Sequence, residues 1–531
     1  MLSNAPKILI SDKLSPAAVD IFTQRGLVAD LKPGLSPAEL RAIIGEYDGL
    51  AVRSATKVTR ELMEAAPKLR VVGRAGIGVD NVDVKTATAR GVVVMNTPFG
   101  NSITTAEHAI AMMFALARQI PDASASTKAG KWEKNRFMGV ELFGKTLGVI
   151  GCGNIGAIVA DRAVGLRMKV VAYDPYLSEP RARELGVEKV ELPELLARAD
   201  IITLHTPLTE GTRNIIDRVA LAKTRKGVRI VNCARGGLID EAALLDALQA
   251  GHVAGAALDV FETEPATASP LFALENVVCT PHLGAATSEA QENVALQIAE
   301  QMSDFLLTGA VSNAINMPSI SAEDAPRLKP YLALVRQLGA IAGQLTNATG
   351  RDLTGIRIEY EGAAAQLNHK PLSAAALAGV LGPLMPGINM VNAPVVARER
   401  GIAVAETVHE RDSAYATQVR LVIATDRGEK SVAGTLFADK PRLTAIKDIP
   451  IEAELSGHML YVTNQDKPGF IGRFGATLAD AGINIATFHL GRNAPGGDAI
   501  CLVAVDGPVS DAVLAQVRAI PQVMQASALS F

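Results

Sequence analysis

Cysteine is scarce in this chain. The four present, Cys152, Cys233, Cys279 and Cys501, lack the spacing of a zinc site or a disulfide framework. No metal is therefore expected, and a reducing cytoplasmic compartment is. An excess of one charge sign is also missing. Lysine and arginine number 52 against 55 acidic residues, a net charge of −3, so neither nucleic acid nor an anionic membrane surface is an expected partner. The N-terminus, MLSNAPKILISD, has no basic leader and no apolar run of signal-peptide length. One stretch, residues 371–397, carries no formal charge over a length that could cross a bilayer. Pro383, Pro386, Asn389, Asn392 and Pro394 interrupt it, beside Gly382 and Gly387. Lipid would leave those breaks unsatisfied, so it reads as a buried segment with turns.

What is present is ordinary globular material, 48% apolar and 20% charged. At 531 residues, a prior of roughly 150 residues per domain suggests three or four domains. Up to about residue 320, short apolar runs (KILI, GLAV, LRVVGRAG, GVVVMN, TLGVIG, KVVAYD, DIITLH, VRIVNC, NVVCT) alternate with helical patterns. That alternation signals parallel sheets with crossover helices, and the number of crossovers suggests two sheets. A helix is expected near NSITTAEHAIAMMFALARQI, with Thr104 and Glu107 at capping-box spacing and Ile110, Met113, Phe114 and Ala117 on its core face. After Met317-Pro318 the style changes. Residues 319–455 are Ala-rich, with strand patterns such as DLTGIRIEYEG and TQVRLVIAT. Residues 458–531 form a compact last unit that opens with HMLYVTN.

The strand pattern Lys145–Ile150 runs directly into Gly151-Cys152-Gly153-Asn154-Ile155-Gly156. In such a motif the first glycine permits the tight turn, the second lets backbone approach a pyrophosphate, and the third allows close helix–strand packing. Alone the motif is weak. Its context strengthens it, because MKVVAYD ends in Asp174 about 20 residues on, where a carboxylate accepts from ribose hydroxyls and disfavours a 2′-phosphate. NAD is the expected cofactor; Asp174 as a helix cap is the alternative. Nearly 150 residues with their own βα pattern precede the motif, so the cofactor domain is inserted into a substrate domain.

Hydride transfer from an alcohol needs a base, a cation for the carboxylate and nascent carbonyl, and a carboxylate to orient the base. The region behind the glycine motif offers His282 in TPHLG, Arg235 in NCARGG and Glu264 in DVFETEP. Singly, Arg235 also reads as a surface ion pair, Glu264 as a solvated loop acid and His282 as a turn residue. All three on successive strand-end loops behind a dinucleotide motif make a catalytic set. His282 would be the acid/base, with Glu264 fixing its tautomer.

The blocks GRAGIGVDNVD, GCGNIG, VNCARGGLIDE, LDVFETEP and TPHLGAAT, in this order, make residues 1–317 resemble the D-isomer-specific 2-hydroxyacid dehydrogenases. The resemblance implies that Arg235, Glu264 and His282 are catalytic and that Asp259 contacts the nicotinamide carboxamide. It also implies that Thr206 and Pro207 line the cofactor site, with Cys233 nearby. Arg53 and Arg74, at strand ends facing Arg235, would suit a short trianionic acid, with the Ala75, Gly76 and Ile77 amides as a carboxylate nest; ordinary loop cations are the alternative reading.

Residues 319–531, with VNAPVVARERGI in the middle, extend the resemblance to the long-form phosphoglycerate dehydrogenase family. It implies a Rossmann-type cofactor domain (98–287) inserted into a flavodoxin-like substrate domain (1–97 and 288–317). An α+β intervening domain (318–455) and a C-terminal ACT domain (456–531) of ββαββα type follow. It further implies 3-phosphoglycerate as substrate in the first step of serine synthesis, Asn101 as a substrate-site residue, and a homo-oligomer, dimer or tetramer. L-serine would be the effector, held by Asn464, Asp466 and Asn484. The match there is partial, since serine-sensitive relatives can carry a histidine and an asparagine where this chain has Asn464 and Asp466. A purely structural turn is the alternative. Two other functions stay open: a dehydrogenase of another D-2-hydroxy acid such as glycerate, and an NAD-sensing corepressor-type binding protein.

Overall fold

The computed structural model describes residues 5–409 and 415–531; the first four residues of the segment read as leaderless lie outside it. Strands β1 (Lys7–Ile10), β2 (Val28–Leu31), β3 (Gly49–Val52), β4 (Val71–Arg74) and β5 (Val93–Met95) form a parallel sheet in the order β2-β1-β3-β4-β5. This is the flavodoxin-like order. Its middle strand β3 is buried along its length, and β1 and β4 at all but one residue each, which is why they read as apolar runs.

The second sheet joins β6 (Thr146–Ile150), β7 (Lys169–Tyr173), β8 (Glu188–Lys189), β9 (Ile201–Leu204), β10 (Val228–Asn232), β11 (Val253–Leu258) and β12 (Val277–Cys279). All pairings are parallel and the order is β12-β11-β10-β9-β6-β7-β8. Strand order reverses between β6 and β9. In open parallel sheets that switch point is where the crevice for a ligand lies.

Helix Ser288–Thr308 then returns to the first sheet, packing on helix Pro16–Gln24 and β4. Close approach there depends on Gly73, where a methyl group would run into Met302 and Ile298. Asn316 fastens the return: its Oδ1 accepts from Val94 N at 2.9 Å and its Nδ2 donates to the Val92 carbonyl at 2.9 Å. The second sheet is thus an insertion into the first.

The expected helix spans Ser102–Arg118 and lies against helix Asn154–Gly165 and β11, with Met113 and Ala117 buried and Ile110 and Phe114 partly so. The capping box at Thr104 is not formed. Asn101 is the N-cap, because the turn from Pro98 already has helical bonding at Thr105 N, which donates to the Asn101 carbonyl at 3.0 Å.

A third sheet runs β14 (Ala403–His409), β13 (Leu353–Gly362), β15 (Thr417–Thr425), β16 (Gly428–Phe437), β17 (Lys440–Ile446), β18 (Ile449–Glu454), antiparallel except for β13–β14. Helices Ala325–Asn347 and His369–Leu381 cross at Gly339, Gly343 and Gly379, each facing backbone of the other helix with no room for a side chain. The uncharged stretch therefore folds as a buried helix, turns and the helix Ala393–Glu399. No helix among the described residues is long and apolar enough to cross a membrane.

The last sheet is antiparallel in the order β20 (Ile485–Arg492), β21 (Asp498–Val505), β19 (His458–Gln465), β22 (Val523–Ser530). Helices Phe470–Asp480 and Asp511–Arg518 follow β19 and β21. The chain order is βαββαβ, not the expected ββαββα. Gly469, at φ 90°, turns the chain into a helix straight after β19, and the crossover leaves β19 free to pair on both sides.

Candidate active site

The site is built from the loops at the carboxyl ends of β6, β7, β9, β10, β11 and β12, on the side of the sheet where the switch point opens. After β6, Gly151 turns at φ 89°, where a side chain would meet Thr206 and the His205 carbonyl. A methyl at Gly156 would run into the Gly151 carbonyl, whereas Gly153 faces open space. Gly153 is the N-cap of helix Asn154–Gly165 and supplies no side-chain cap, so the first amides, beginning with Asn154 and Ile155, are available to an anion. Asp174, after β7, accepts from Cys152 N through Oδ2 and from Tyr176 N through Oδ1, both at 2.8 Å. Each oxygen keeps acceptor capacity for a ribose hydroxyl. After β9, Thr206 Oγ1 and His205 Nδ1 are buried with no partner among the described residues, and Pro207 follows them, exposed. Burial pushes His205 down to about 4, so the ring is neutral. A pyrophosphate-bearing dinucleotide fits this set of glycines, free amides and unpaired polar groups.

After β10, Asn232 shapes the turn: its Oδ1 accepts from Ala234 N at 3.0 Å and its Nδ2 donates to the Arg235 carbonyl at 2.9 Å. Cys233 is buried there, its thiol pushed up by burial and then by Asp259. Arg235 reaches across to the first sheet's Gly76–Asp80 loop, where its Nε donates to Asp80 Oδ2 at 3.0 Å and its guanidinium packs over Gly78. After β12, His282 sits at φ 55°. Its Nδ1 lies 2.7 Å from Glu264 Oε2. Burial works to raise the Glu264 carboxyl, but the His282 hydrogen bond, the Phe261 amide and the His282 charge together hold it below the ordinary range. An ionised Glu264 requires the proton on Nδ1, which leaves the Nε2 lone pair to act as a base.

The substrate side is cationic. Arg74 ends β4, and burial, then the charge of Arg235, lowers its guanidinium to about 10, with Arg53 adding to the repulsion. Arg53 is held by its backbone, whose N–H donates to Asp12 Oδ2 at 2.7 Å, and among the described residues its guanidinium donates only to the Lys13 carbonyl, at 3.4 Å. Three mutually repelling arginines are what a polyanionic ligand would relieve. Arg74 Nε, Thr97 Oγ1 and Asn101 Oδ1 are buried without partners among the described residues. The nest is smaller than expected, because Ala75 N already donates to the Val52 carbonyl at 2.8 Å; only Gly76 and Ile77 remain.

Asp259 faces inward. It has no exposed surface, and its oxygens accept from Thr280 Oγ1 (2.6 Å), Leu283 N (2.7 Å) and Gly284 N (2.8 Å). In this arrangement it anchors the His282 turn. His108, Cys233 and Asp259 place ligand atoms within 4.8 Å of one another, but these hydrogen bonds occupy the carboxylate, so the group is a polar hub.

In the last sheet, Asn464 is buried with its Oδ1 unpartnered among the described residues. Asp466 is taken by Arg492 Nη1 at 2.7 Å and Gly496 N at 3.0 Å, and Asn484 Nδ2 donates to Asp506 Oδ2 at 2.8 Å. No hydrogen bond joins these three among the described residues. The sequence reading passed over Thr97, Asp80, His205 and Asn232. Asp80 and Asn232 lay inside the blocks GRAGIGVDNVD and VNCARGGLIDE, and His205 stood beside Thr206; Thr97 had no such signal.

Residues 110–284 match the model for the D-isomer specific 2-hydroxyacid dehydrogenase NAD-binding domain. Residues 327–447 match the D-3-phosphoglycerate dehydrogenase intervening domain and residues 458–522 the ACT domain. A solved D-lactate dehydrogenase from Aquifex aeolicus, complexed with NAD and lactic acid, superposes with a TM-score of 0.52 at 26% identity, covering 59% of this chain and 100% of that one. Fold and site together define an NAD-dependent dehydrogenase of D-2-hydroxy acids. D-3-phosphoglycerate dehydrogenase from Synechocystis is 43% identical over 98% of this chain and 94% of its own length. The Methanocaldococcus jannaschii enzyme of the same name is 42% identical over 99% of both. The chain belongs to the D-3-phosphoglycerate dehydrogenase family.

Proposed function

We propose that the protein oxidises 3-phospho-D-glycerate to 3-phosphohydroxypyruvate with NAD, the first step of L-serine synthesis. The observation that carries this is the 2.7 Å His282–Glu264 pair, supported by the crowding of Arg74 by the charges of Arg235 and Arg53. His282 Nε2 takes the proton of the C2 hydroxyl. Arg235 holds the carboxylate and polarises the forming carbonyl, giving up its Asp80 contact to do so. Arg74 and Arg53, with Asn101, take the phosphate end. NAD, when bound, supplies the hydride acceptor. Gly151, Gly153, Asn154, Ile155, Gly156, Asp174, Thr206, Pro207 and Cys233 line its place, with Asp259 behind them.

The substrate domain in this reading is residues 1–97 and 288–317, the cofactor domain 98–287, the intervening domain 318–455 and the ACT domain 456–531. The ACT domain takes a small amino acid, L-serine, through Asn464, Asp466 and Asn484. The protein is a homo-oligomer joined through the cofactor domain, where Trp132, Met138 and Phe143 are largely exposed within one short segment. The four cysteines are free, in keeping with the cytosolic setting we assign.

The test is NADH formation by purified protein on 3-phosphoglycerate, D-glycerate and D-lactate in parallel. The phosphorylated acid should be preferred in kcat/KM by at least about tenfold, the scale of one charge-assisted contact. Equal or better turnover of an unphosphorylated acid would overturn the substrate assignment.

A further inference from the structure

Helix Ser102–Arg118 carries a histidine that none of the steps above uses. His108 Nε2 lies 3.2 Å from Asp259 Oδ1 and 3.3 Å from Thr280 Oγ1. Thr280 commits its hydroxyl proton to Asp259 Oδ1 at 2.6 Å. Burial works to raise the Asp259 carboxyl, but hydrogen bonds from His108, Thr280 and the Leu283 amide hold it below the ordinary range. The carboxylate therefore has no proton to offer, and the proton between it and the ring sits on His108 Nε2.

The other three donors to Asp259 are Thr280 Oγ1, Leu283 N and Gly284 N. All belong to the turn that presents His282. That turn also bonds back to the Asp259 main chain, His282 N donating to its carbonyl at 2.9 Å. His108 is the donor that ties the same carboxylate to a separate element. Thr105, one turn earlier on that helix, adds a second tie by donating to the Gly284 carbonyl at 2.9 Å. The turn needs holding, since His282 occupies the left-handed region that L-residues rarely adopt.

We infer that His108 is a positioning residue for hydride transfer. By donating from Nε2 to the buried Asp259 carboxylate, it fixes the His282–Gly284 turn in the pose that faces Glu264 and the cleft. The inference rests on the reading of His282 as the base.

The test uses the full-length enzyme as wild type, His108→Leu, His108→Gln and His282→Ala. Leucine keeps bulk without a donor; glutamine places an N–H near the Nε2 position. In His108→Leu, kcat should fall about 10- to 100-fold, the scale of a base displaced by a fraction of an ångström to one ångström. KM and NAD affinity should move by less than about threefold, and the isotope effect on kcat with C2-deuterated substrate should rise. His108→Gln should recover kcat to within about threefold of wild type. A His108→Leu enzyme as fast as wild type, or a glutamine variant no faster than leucine, overturns the inference. A measurement on the unmodified protein stands beside the variants. The ¹⁵N shifts of the His108 ring must report a protonated Nε2, and an unprotonated one overturns the inference even if the leucine variant does not fold. The two readings separate cleanly. An active His282→Ala enzyme removes the base itself, whereas an inactive one beside an unimpaired His108→Leu removes only the positioning role.

Discussion

The cleft at the second sheet and the turn at the end of β19 both collect polar residues, but they treat them differently. In the cleft, Arg74 Nε, Thr97 Oγ1, Asn101 Oδ1, His205 Nδ1 and Thr206 Oγ1 are buried and unpaired among the described residues. Near β19, Asp466 and Asn484 have protein partners, while Asn464 Oδ1, Gln522 Oε1 and Tyr461 Oη are buried and unpaired among the described residues. A buried polar atom without a partner costs about 1–3 kcal/mol, so a cluster of them marks a place shaped for something else to bind. A ligand at a satisfied turn must displace an existing hydrogen bond, worth about 0.5–1.5 kcal/mol net. Substitutions should therefore act strongly in the cleft and weakly at the turn.

The largest effect belongs to the base. His282→Ala should lower kcat about 10²- to 10⁴-fold, the usual contribution of a positioned acid/base, while NAD affinity measured by fluorescence quenching stays near wild type. Near-normal turnover would erase the distinction between cleft and turn. Next comes the cofactor. Asp174→Ala should weaken NAD binding and narrow the NAD-to-NADP ratio of kcat/KM by about tenfold, the worth of one lost charge-assisted contact. A fixed ratio would mean that Asp174 serves only the Cys152 and Tyr176 amides.

A subtler effect lies in pH. Because the Glu264 carboxyl is held below the ordinary range, it stays ionised at neutral pH. The sign for folding is that its stabilisation is complete above the ordinary carboxylate range and is lost as pH falls through the depressed value. For catalysis, Glu264→Gln removes the anion that favours the imidazolium. The acidic limb of kcat/KM should then move to lower pH, by about one unit for a single neighbouring charge. A full pH–rate profile of both enzymes decides it, and an unmoved limb breaks the pairing.

Legibility in the sequence followed the same division. The glycine motif, Asp174, Arg235, Glu264 and His282 were visible because backbone chemistry at strand ends restricts residue type. Strand β11, VAGAAL, has one β-branched residue, so its composition does not mark a strand, although it pairs on both sides in the sheet. Thr104 and Glu107 had the right spacing for a cap, but the turn from Pro98 began the helix earlier. Connectivity of the last sheet depended on where Gly469 bends the chain, which spacing alone does not fix. The donor to Asp259, His108, was hidden for a different reason. A lone histidine on an amphipathic helix has no pattern of its own, and only the packing of that helix against β11 brings the two together.

The smallest effect is expected at the β19 turn, and it is the sharpest probe of the contrast. Asn464 keeps a buried Oδ1 without a partner among the described residues, while its Nδ2 donates to the Gln465 carbonyl at 2.9 Å, so Asn464→Ala removes one cost together with one hydrogen bond and should change Tm little. As a serine contact it should matter for affinity. Asp466 is already paired with Arg492, whose hydrogen bond, followed by that of the Gly496 amide, lowers its carboxyl. That pair is largely exposed on the arginine side, and exposed pairs hold weakly, so the carboxylate and ammonium of an amino acid can exchange into it. Inhibition also requires that serine bind the less active state more tightly. Calorimetry with L-serine at millimolar concentration should show binding to wild type, weakened about three- to tenfold in Asn464→Ala and in Asn484→Ala, the loss of about one neutral hydrogen bond. An activity titration should show wild type slowed by serine and both variants less sensitive, with basal kcat unchanged. Absence of heat and of inhibition in wild type would mean that the turn's hydrogen bonds serve the fold alone. The unpaired Asn464 oxygen would then be a cost without a ligand to offset it.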